Sequence, residues 1–378
     1  MRILFVIDQF ARSRNGTTMT ARRSAKALRE MGHTVEVLTG MGDEEQGVYE
    51  MGIKRYPVLF RLTGAQGMYL AKNDENLLEE AIASADLVHC FLPFSLERKA
   101  RRIAEAMGVA TTAAFHLQPE NITSTLLLAR LSPLNEILYA CFRRFYNRFE
   151  YVHCPSRMIE KQLMHRRYTA HTRVISNGVG ERFRPMDVER PPRHKGKHII
   201  LMVGRLSREK RQDVLIDAIA QSPLEADIQL ILAGSGPWEK RLRKKARKLT
   251  NPVEFAFFEQ SDLIDVMNYA DLYVHASDVE IEAIACIEAF ACGLVPIISD
   301  SPKSATNQFA IDAVNRFKAG DPADLERKMR RLLKDEALRE ELSKRYIEYS
   351  AHFRLDKSMR ALEAFFQSAY RAHEKSAA

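Results

Sequence analysis

Arg205 and Lys210 stand close together in VGRLSREKRQD (203–213), after an apolar run that ends at Gly204 and before the apolar start of DVLIDAIA. A guanidinium fork and an ammonium beside a helix N-terminus can hold a diphosphate by charge-assisted hydrogen bonds and offset charge building on a leaving group. Arg208 and Arg211 share the stretch, so a solvated basic cluster accounts for the composition equally well.

A second candidate lies in HASDVEIEAIACIEAFACGLVPIISD (275–300), where Glu280, Glu282 and Glu288 interrupt an apolar segment. Ser277 and Glu280 have the spacing of a capping box, which predicts a helix over 279–292 with Ser277 as N-cap and Gly293 just past its end. On such a helix Glu280 and Glu288 fall within roughly 80° of one face and about 12 Å apart, a separation suited to two ends of one elongated ligand. Capping alone explains Glu280. Glu288, flanked by Ile287, Ala289 and Phe290, would cost several kcal/mol if buried alone, so it must have a partner or face a cleft.

The elements needed to position these groups are legible as alternating short apolar runs and longer amphipathic ones. RILFVI (2–7), TTMTARRSAKALREMG (17–32) and HTVEVLT (33–39) form one βαβ unit, and further strand-like runs follow at 85–92, 109–115, 151–155 and 172–178. The pattern restarts with KHIILMVG (197–204) and continues at 227–234, 252–257, 270–276 and 294–299. Between the halves, RFRPMDVERPPRHKGKH (182–198) is rich in proline and charge and reads as a linker. The expectation is an α/β protein of two doubly wound parallel-sheet domains, 1–185 and 196–355, with a terminal helix over 356–378. Ligands in such folds bind at the carboxyl ends of the strands, here in a cleft between the domains.

Two glycine turns fit that expectation. DQFARSRNGTT (8–18) brings Asn15 and Gly16 to a helix N-terminus, and LILAGSGPWEKRL (230–242) places Gly234 and Gly236 after a strand with Pro237 at a helix start. Each is equally a plain tight turn. Neither is G-x-G-x-x-G, and the first unit lacks an acidic ribose ligand, which argues against a nicotinamide enzyme.

Composition narrows the class. The 378 residues carry a formal net charge of +8, with 46% hydrophobic and 28% charged residues. This is a globular chain whose charge points to an anionic partner, whether nucleic acid, phospholipid or a phosphorylated substrate. Its basic residues are spread over both halves without an RNP, KH or zinc pattern, which argues against nucleic acid. The five cysteines show no pairing or metal-ligand spacing and read as reduced, buried thiols. No apolar run reaches the length of a membrane span.

In combination, VGRLSREK, AGSGP, ISNGV and Glu280 and Glu288 followed by Ala289 and Cys292-Gly293 resemble the retaining glycosyltransferases of family 4, which have the GT-B fold. The resemblance covers most of the chain. It implies that Arg205 and Lys210 hold a nucleotide diphosphate, Glu288 the ribose and Glu280 the donor sugar hydroxyls, with Gly234 in the donor site and Gly16 beside the diphosphate. His116, in TTAAFHLQPENI, matches the family's active-site histidine, although an isolated His is ordinarily structural. His89 is a weaker candidate. The implied reaction moves a hexose from UDP-glucose or UDP-galactose to a hydroxyl with retention, needing no cofactor and no metal, with His116, Glu280, Arg205 and Lys210 at the reaction centre.

SPKSATNQFAID (301–312) lacks the Gly-Gly and acidic pattern of many members, leaving Ser304, Ala305 and Thr306 unassigned, and resembles the branch of diacylglycerol glucosyltransferases and related glycolipid synthases. That implies a diacylglycerol or ceramide acceptor and a cytoplasmic protein peripheral to the inner membrane face. Alternatives are a soluble or polymeric glycan acceptor and a GT-B sugar-nucleotide epimerase. The segment 126–151 interleaves Phe142, Phe145, Tyr146 and Phe149 with Arg143, Arg144 and Arg148, a pattern either of an anionic-membrane helix or of a helix with its aromatics in the core. EKRLRKKARKL (239–249) reads as a solvated helical face.

Overall fold

The computed structural model describes residues 1–11, 16–43, 47–54, 69–125 and 132–377. They form two compact units, one of Met1–Asn177 with Asp356–Ala378 and one of Gly178–Leu355.

In the first unit β1 (Arg2–Ile7), β2 (Thr34–Thr39), β3 (Val48–Glu50), β4 (Leu87–Cys90), β5 (Ala110–Ala114), β6 (Tyr151–Cys154) and β7 (His171–Val174) form a parallel sheet in the order β3-β2-β1-β4-β5-β6-β7. The second unit repeats the plan with β8 (His198–Val203), β9 (Ile228–Ala233), β10 (Glu254–Ala256), β11 (Leu272–His275), β12 (Pro296–Ser299) and β13 (Arg316–Phe317), in the order β10-β9-β8-β11-β12-β13. Strands covered on both faces by helices must be apolar throughout. β1 and β8 accordingly bury Ile3 to Ile7 and Ile199 to Met202. Strand order reverses between β1 and β4 and between β8 and β11. Each sheet therefore has a topological switch point, where the loops leaving two neighbouring strands turn to opposite faces.

The boundary falls earlier than expected. Residues 182–198 do not form a free linker, because Phe183 joins the core of the second unit, Arg190 binds Asp271 (3.1 Å) and His194 binds Glu254 (3.0 Å). The last helix, Leu355–Ala377, packs on the first unit, with Phe366 against Phe5 and His89 and Phe365 against Tyr151. Met359, Leu362, Phe366 and Ala369 follow helical spacing and are all buried.

Two sequence expectations need correction. The aromatics Phe142, Phe145, Tyr146 and Phe149 of the helix Ser132–Tyr146 and the turn after it lie in the core, so they offer nothing to a membrane. The outward stripe carries Ile137, Cys141, Arg144 and Arg148, which leaves Cys141 exposed, not buried. Residues 126–131 lie outside the described residues. No described helix is long and apolar enough to cross a membrane.

At the switch point of the first unit, Asp8 follows β1 and Glu97 lies in the first turn of the helix Ser95–Ala106 that follows β4. Both are buried, and Asp8 Oδ1 accepts the Ala71 N–H at 2.7 Å. Asp8 Oδ2 and both carboxyl oxygens of Glu97 have no well-aligned donor among the described residues, and a proton shared between the carboxyls can satisfy one oxygen of each. Burial raises Asp8 to about 6 despite the Ala71 bond, and burial together with the Asp8 charge holds Glu97 well above the carboxylate range. Raised folded-state values mean that the folded chain binds more protons than the unfolded one. Stability should thus fall as pH rises through about 4 to 6 and beyond. Calorimetric melting should show this decline, and Glu97→Gln, which supplies a permanent donor, should flatten it and raise Tm at pH 8.

Candidate functional site

At the switch point of the second unit, the loop after β8 meets the loop after β11. Gly204 leaves β8 at φ 148°, and the Lys210 side chain runs over it, its Cε 3.7 Å from where a Cβ at 204 would stand. Lys210 closes a short 3-10 turn, Arg208–Lys210, and Arg211 adopts the left-handed conformation (φ 56°) that turns the chain into the helix Gln212–Ala220. Arg211 is anchored to Asp278 (2.9 Å) and Asp213 (3.2 Å), and the Asp278 N–H donates to the Glu209 carbonyl at 2.8 Å. The β8 loop is therefore tied directly to the β11 loop.

Lys210 Nζ donates to Glu280 Oε1, which also meets His275 Nε2 at 2.9 Å, and His275 Nδ1 meets the Tyr273 hydroxyl at 3.1 Å. Burial would raise the Glu280 pKa, but Lys210 and His275 overcome it and hold the carboxylate down to about 2. Burial pushes His275 below its ordinary value against the pull of Glu280. The site thus holds a fixed anion and cation whose oxygens and ammonium hydrogens can also serve hydroxyls and phosphate.

The glycines of the β9 loop make this arrangement possible. A Cβ on Gly234 would stand 2.0 Å from the Gly204 carbonyl oxygen, and one on Gly236 2.3 Å from that of Leu206. Such proximity lets Gly204 N–H reach the Ala233 carbonyl (2.9 Å) and Leu206 N–H the Ser235 carbonyl (3.0 Å). Arg205 lies between these two anchor points. Burial pushes its guanidinium pKa down, with Glu209 opposing.

The expected helix over 279–292 does not form as drawn. The helix is Ile284–Ala291, and Ala283 precedes it in the left-handed region at φ 64°. Glu280 is extended, bridged to Ser304, with its carbonyl accepting the Ala305 N–H at 2.9 Å. Ser277 is not an N-cap, and its buried Oγ has no partner among the described residues. Glu280 and Glu288 therefore share no helical face. Pairing with Lys210 and His275 outweighs the capping preference, because a buried carboxylate gains more from a cation than from two N–H groups. The expected stop is observed: Gly293 has φ 83°, and Leu294 N–H returns to the Ala289 carbonyl at 3.1 Å. Glu288 is 8% exposed on that helix, and Glu282 is buried in the preceding loop.

Residues missed from the sequence complete the site. Tyr273 and His275 alternate on one side of β11, a polar period-two signal in an apolar strand. The unassigned 301–306 stretch braces Glu280: Ser301 Oγ donates to the Asp278 carbonyl (2.6 Å), and Ser304 and Thr306 join hydroxyls at 2.6 Å.

His116 and Gly16 belong to the first unit. His116 follows β5, stacks on Phe91 (5.6 Å between centroids) and meets the edge of His153. Burial holds it well below the usual imidazole value, with His153 adding to the effect, so the ring is neutral at pH 7. Its buried Nε2 has no partner among the described residues. Gly16 begins the helix Gly16–Glu30 with open space where a Cβ would stand, and Asn15 lies outside the described residues. His89 is a core residue, bonded to Thr112 (2.9 Å) and packed among Phe5, Phe91 and Phe366.

Residues 184–352 match the family of glycosyl transferases group 1, and residues 14–182 match glycosyltransferase family 4. The chain belongs to the GT-B glycosyltransferases of family 4. Relatives include the alpha-monoglucosyldiacylglycerol synthase of Streptococcus pneumoniae, 23% identical over 80% of this chain and 72% of that protein. The sulfoquinovosyl transferase SQD2 of Arabidopsis thaliana is 26% identical over 84% of this chain, which spans 63% of that protein. The fold is shared with Anabaena HepE, solved in complex with UDP-glucose, at a TM-score of 0.72, 17% identity and coverage of 97% and 100%. As a family 4 glycosyltransferase, the chain is a glycosyl-transferring enzyme.

The Lys210–Glu280 pair predicts a stability effect. Glu280→Ala, which strands a half-buried ammonium, should lower the stability of the second unit by ~3 kcal/mol, and Lys210→Ala should do likewise. The double variant should lose clearly less than the sum, a difference that denaturant melts in a double-mutant cycle will measure. Gly236→Ala should disrupt the Leu206 contact and lower the melting temperature of the second unit, since the added Cβ would stand 2.3 Å from the Leu206 carbonyl oxygen.

Proposed function

We propose that the chain is a retaining hexosyltransferase that moves a hexose from UDP-glucose or UDP-galactose to a hydroxyl of a membrane lipid of the diacylglycerol or ceramide type. The observation that carries this reading is the Lys210–Glu280–His275 chain beside Arg205 at the carboxyl ends of β8 and β11.

In this reading Arg205 and Lys210 bind the diphosphate and take up the charge that develops when the bond from the anomeric carbon to the phosphate oxygen breaks. Glu280, kept ionised by its two partners, accepts hydrogen bonds from the sugar hydroxyls. Glu288 accepts the ribose hydroxyls, and the loop of Gly234 lies against the nucleotide. Gly16 opens a helix whose N-terminal N–H groups suit the diphosphate. His116, neutral and with its Nε2 unengaged, contacts the transferred sugar. The acceptor hydroxyl oxygen bonds to the anomeric carbon on the face the diphosphate leaves, and its proton passes to the departing phosphate oxygen. The basic side chains take the charge-stabilising role that a metal would have, so no metal or cofactor is required.

A lipid acceptor is supported by the relative named for monoglucosyldiacylglycerol. It implies a protein peripheral to the cytoplasmic face of the membrane, and the outward stripe of Ile137, Cys141, Arg144 and Arg148 suits an anionic headgroup layer. Arg143 is excluded from that stripe because it donates to the Arg166 carbonyl at 3.0 Å.

The deciding experiment is transfer of labelled hexose from each UDP-sugar to diacylglycerol or ceramide in mixed micelles containing EDTA. Labelled α-glycolipid is expected, and label that reaches only soluble glycans or water would overturn the acceptor. Glu288→Ala should weaken UDP-sugar binding in calorimetry by about tenfold or more, from the ~1.5–3 kcal/mol of a hydrogen bond to a charged group. Lys210→Ala, assayed well below its melting temperature, should lose roughly a hundredfold in kcat.

A further inference from the structure

A separate surface of the second unit is built from cations and aromatic rings. Between residues 240 and 248 there are seven lysines and arginines. The helix Glu239–Ala246 turns Leu242 and Ala246 inward, so Lys240, Lys244 and Arg247 lie on the opposite, exposed stripe. Asp217 takes Lys245 (2.7 Å) and Lys248 (2.6 Å), and Glu239 takes Arg243 (2.9 Å). Lys240, Lys244 and Arg247 meet no carboxylate among the described residues.

Trp238 and Phe255 are partly buried against the core of the second unit, so a solvated helix explains the charges and those two rings but not an exposed ring beside them. Arg241 lies over Trp238 at 4.7 Å, and Arg243 over Phe255 of the edge strand β10 at 4.3 Å. Two residues on, just past the end of β10, Phe257 is 51% exposed. Cations that reach headgroup phosphates beside an aromatic ring at the headgroup–acyl boundary match the chemistry of an interfacial protein surface.

We propose that the face formed by Lys240, Lys244, Arg247 and Phe257 is a contact with an anionic lipid bilayer, additional to the stripe on the helix Ser132–Tyr146. The choice of a bilayer as occupant rests on the proposed lipid acceptor. The unmatched positive charge and the exposed ring rest on the structure alone.

Trp238 is the chain's single tryptophan, so its fluorescence reports on this face in the intact protein. The test uses vesicles of equal parts phosphatidylglycerol and phosphatidylcholine, with bromine high on the acyl chains, at low and high salt. Expected results are quenching of Trp238 at low salt, its loss at high salt or on pure phosphatidylcholine, and about a fivefold drop in partitioning for each of Lys240→Ser, Lys244→Ser and Arg247→Ser. Phe257→Ser should weaken partitioning while leaving its salt dependence unchanged. Sedimentation with vesicles but no quenching would overturn this surface and leave the lipid-acceptor reading standing. Absence of any vesicle binding would count against both. A response of Trp238 to a single-stranded RNA oligomer with vesicles silent would reassign the face to nucleic acid.

Discussion

The second unit depends on keeping a carboxylate ionised where water is largely excluded. Glu280 achieves this because the switch point between β8 and β11 brings a cation from the β8 loop and an imidazole from the end of β11 to the same oxygen. Burial alone would neutralise it. Nearly every local feature nearby serves that encounter: Gly204 clears a path for Lys210, Gly234 and Gly236 let the β9 loop press against the β8 loop, and the 301–306 stretch holds Glu280 extended. Removing the pair would leave these features without a common purpose.

The same topology in the first unit has the opposite electrostatic outcome. Its switch point joins Asp8 and Glu97, two acids, and burial drives them toward a shared proton instead of a fixed charge. His116, on the neighbouring strand end, is likewise held neutral. One unit therefore holds permanent charge of both signs. The other holds a carboxyl pair of raised pKa and a neutral imidazole in place of a fixed ion pair.

Burial also decides how the basic and aromatic segments read. In the helix Ser132–Tyr146 the rings fill the core and only some arginines reach the surface, whereas around 238–257 Trp238 and Phe255 are partly buried under Arg241 and Arg243 and Phe257 is exposed. The sequence pattern is similar in both places. The difference comes from which helical stripe the sheet needs to cover, and composition does not encode that.

The sequence by itself determined the two doubly wound sheets, because strands buried on both faces must be continuously apolar and the helices between them amphipathic. It also determined the end of the helix at Gly293, where only a left-handed residue closes the turn comfortably, and it singled out Glu280 and Glu288 through charge in apolar surroundings and Arg205 and Lys210 through their place between a strand end and a helix start. Tertiary structure alone decided what Glu280 does. Local spacing favoured a capped helix, but Lys210 comes from 70 residues upstream and His275 stands at the end of β11, and a desolvated carboxylate is governed by its nearest charges in space. The 301–306 brace escaped notice because only the strand order brings it to the 278–280 loop, whereas Tyr273 and His275 were a local signal, a polar alternation inside an apolar strand.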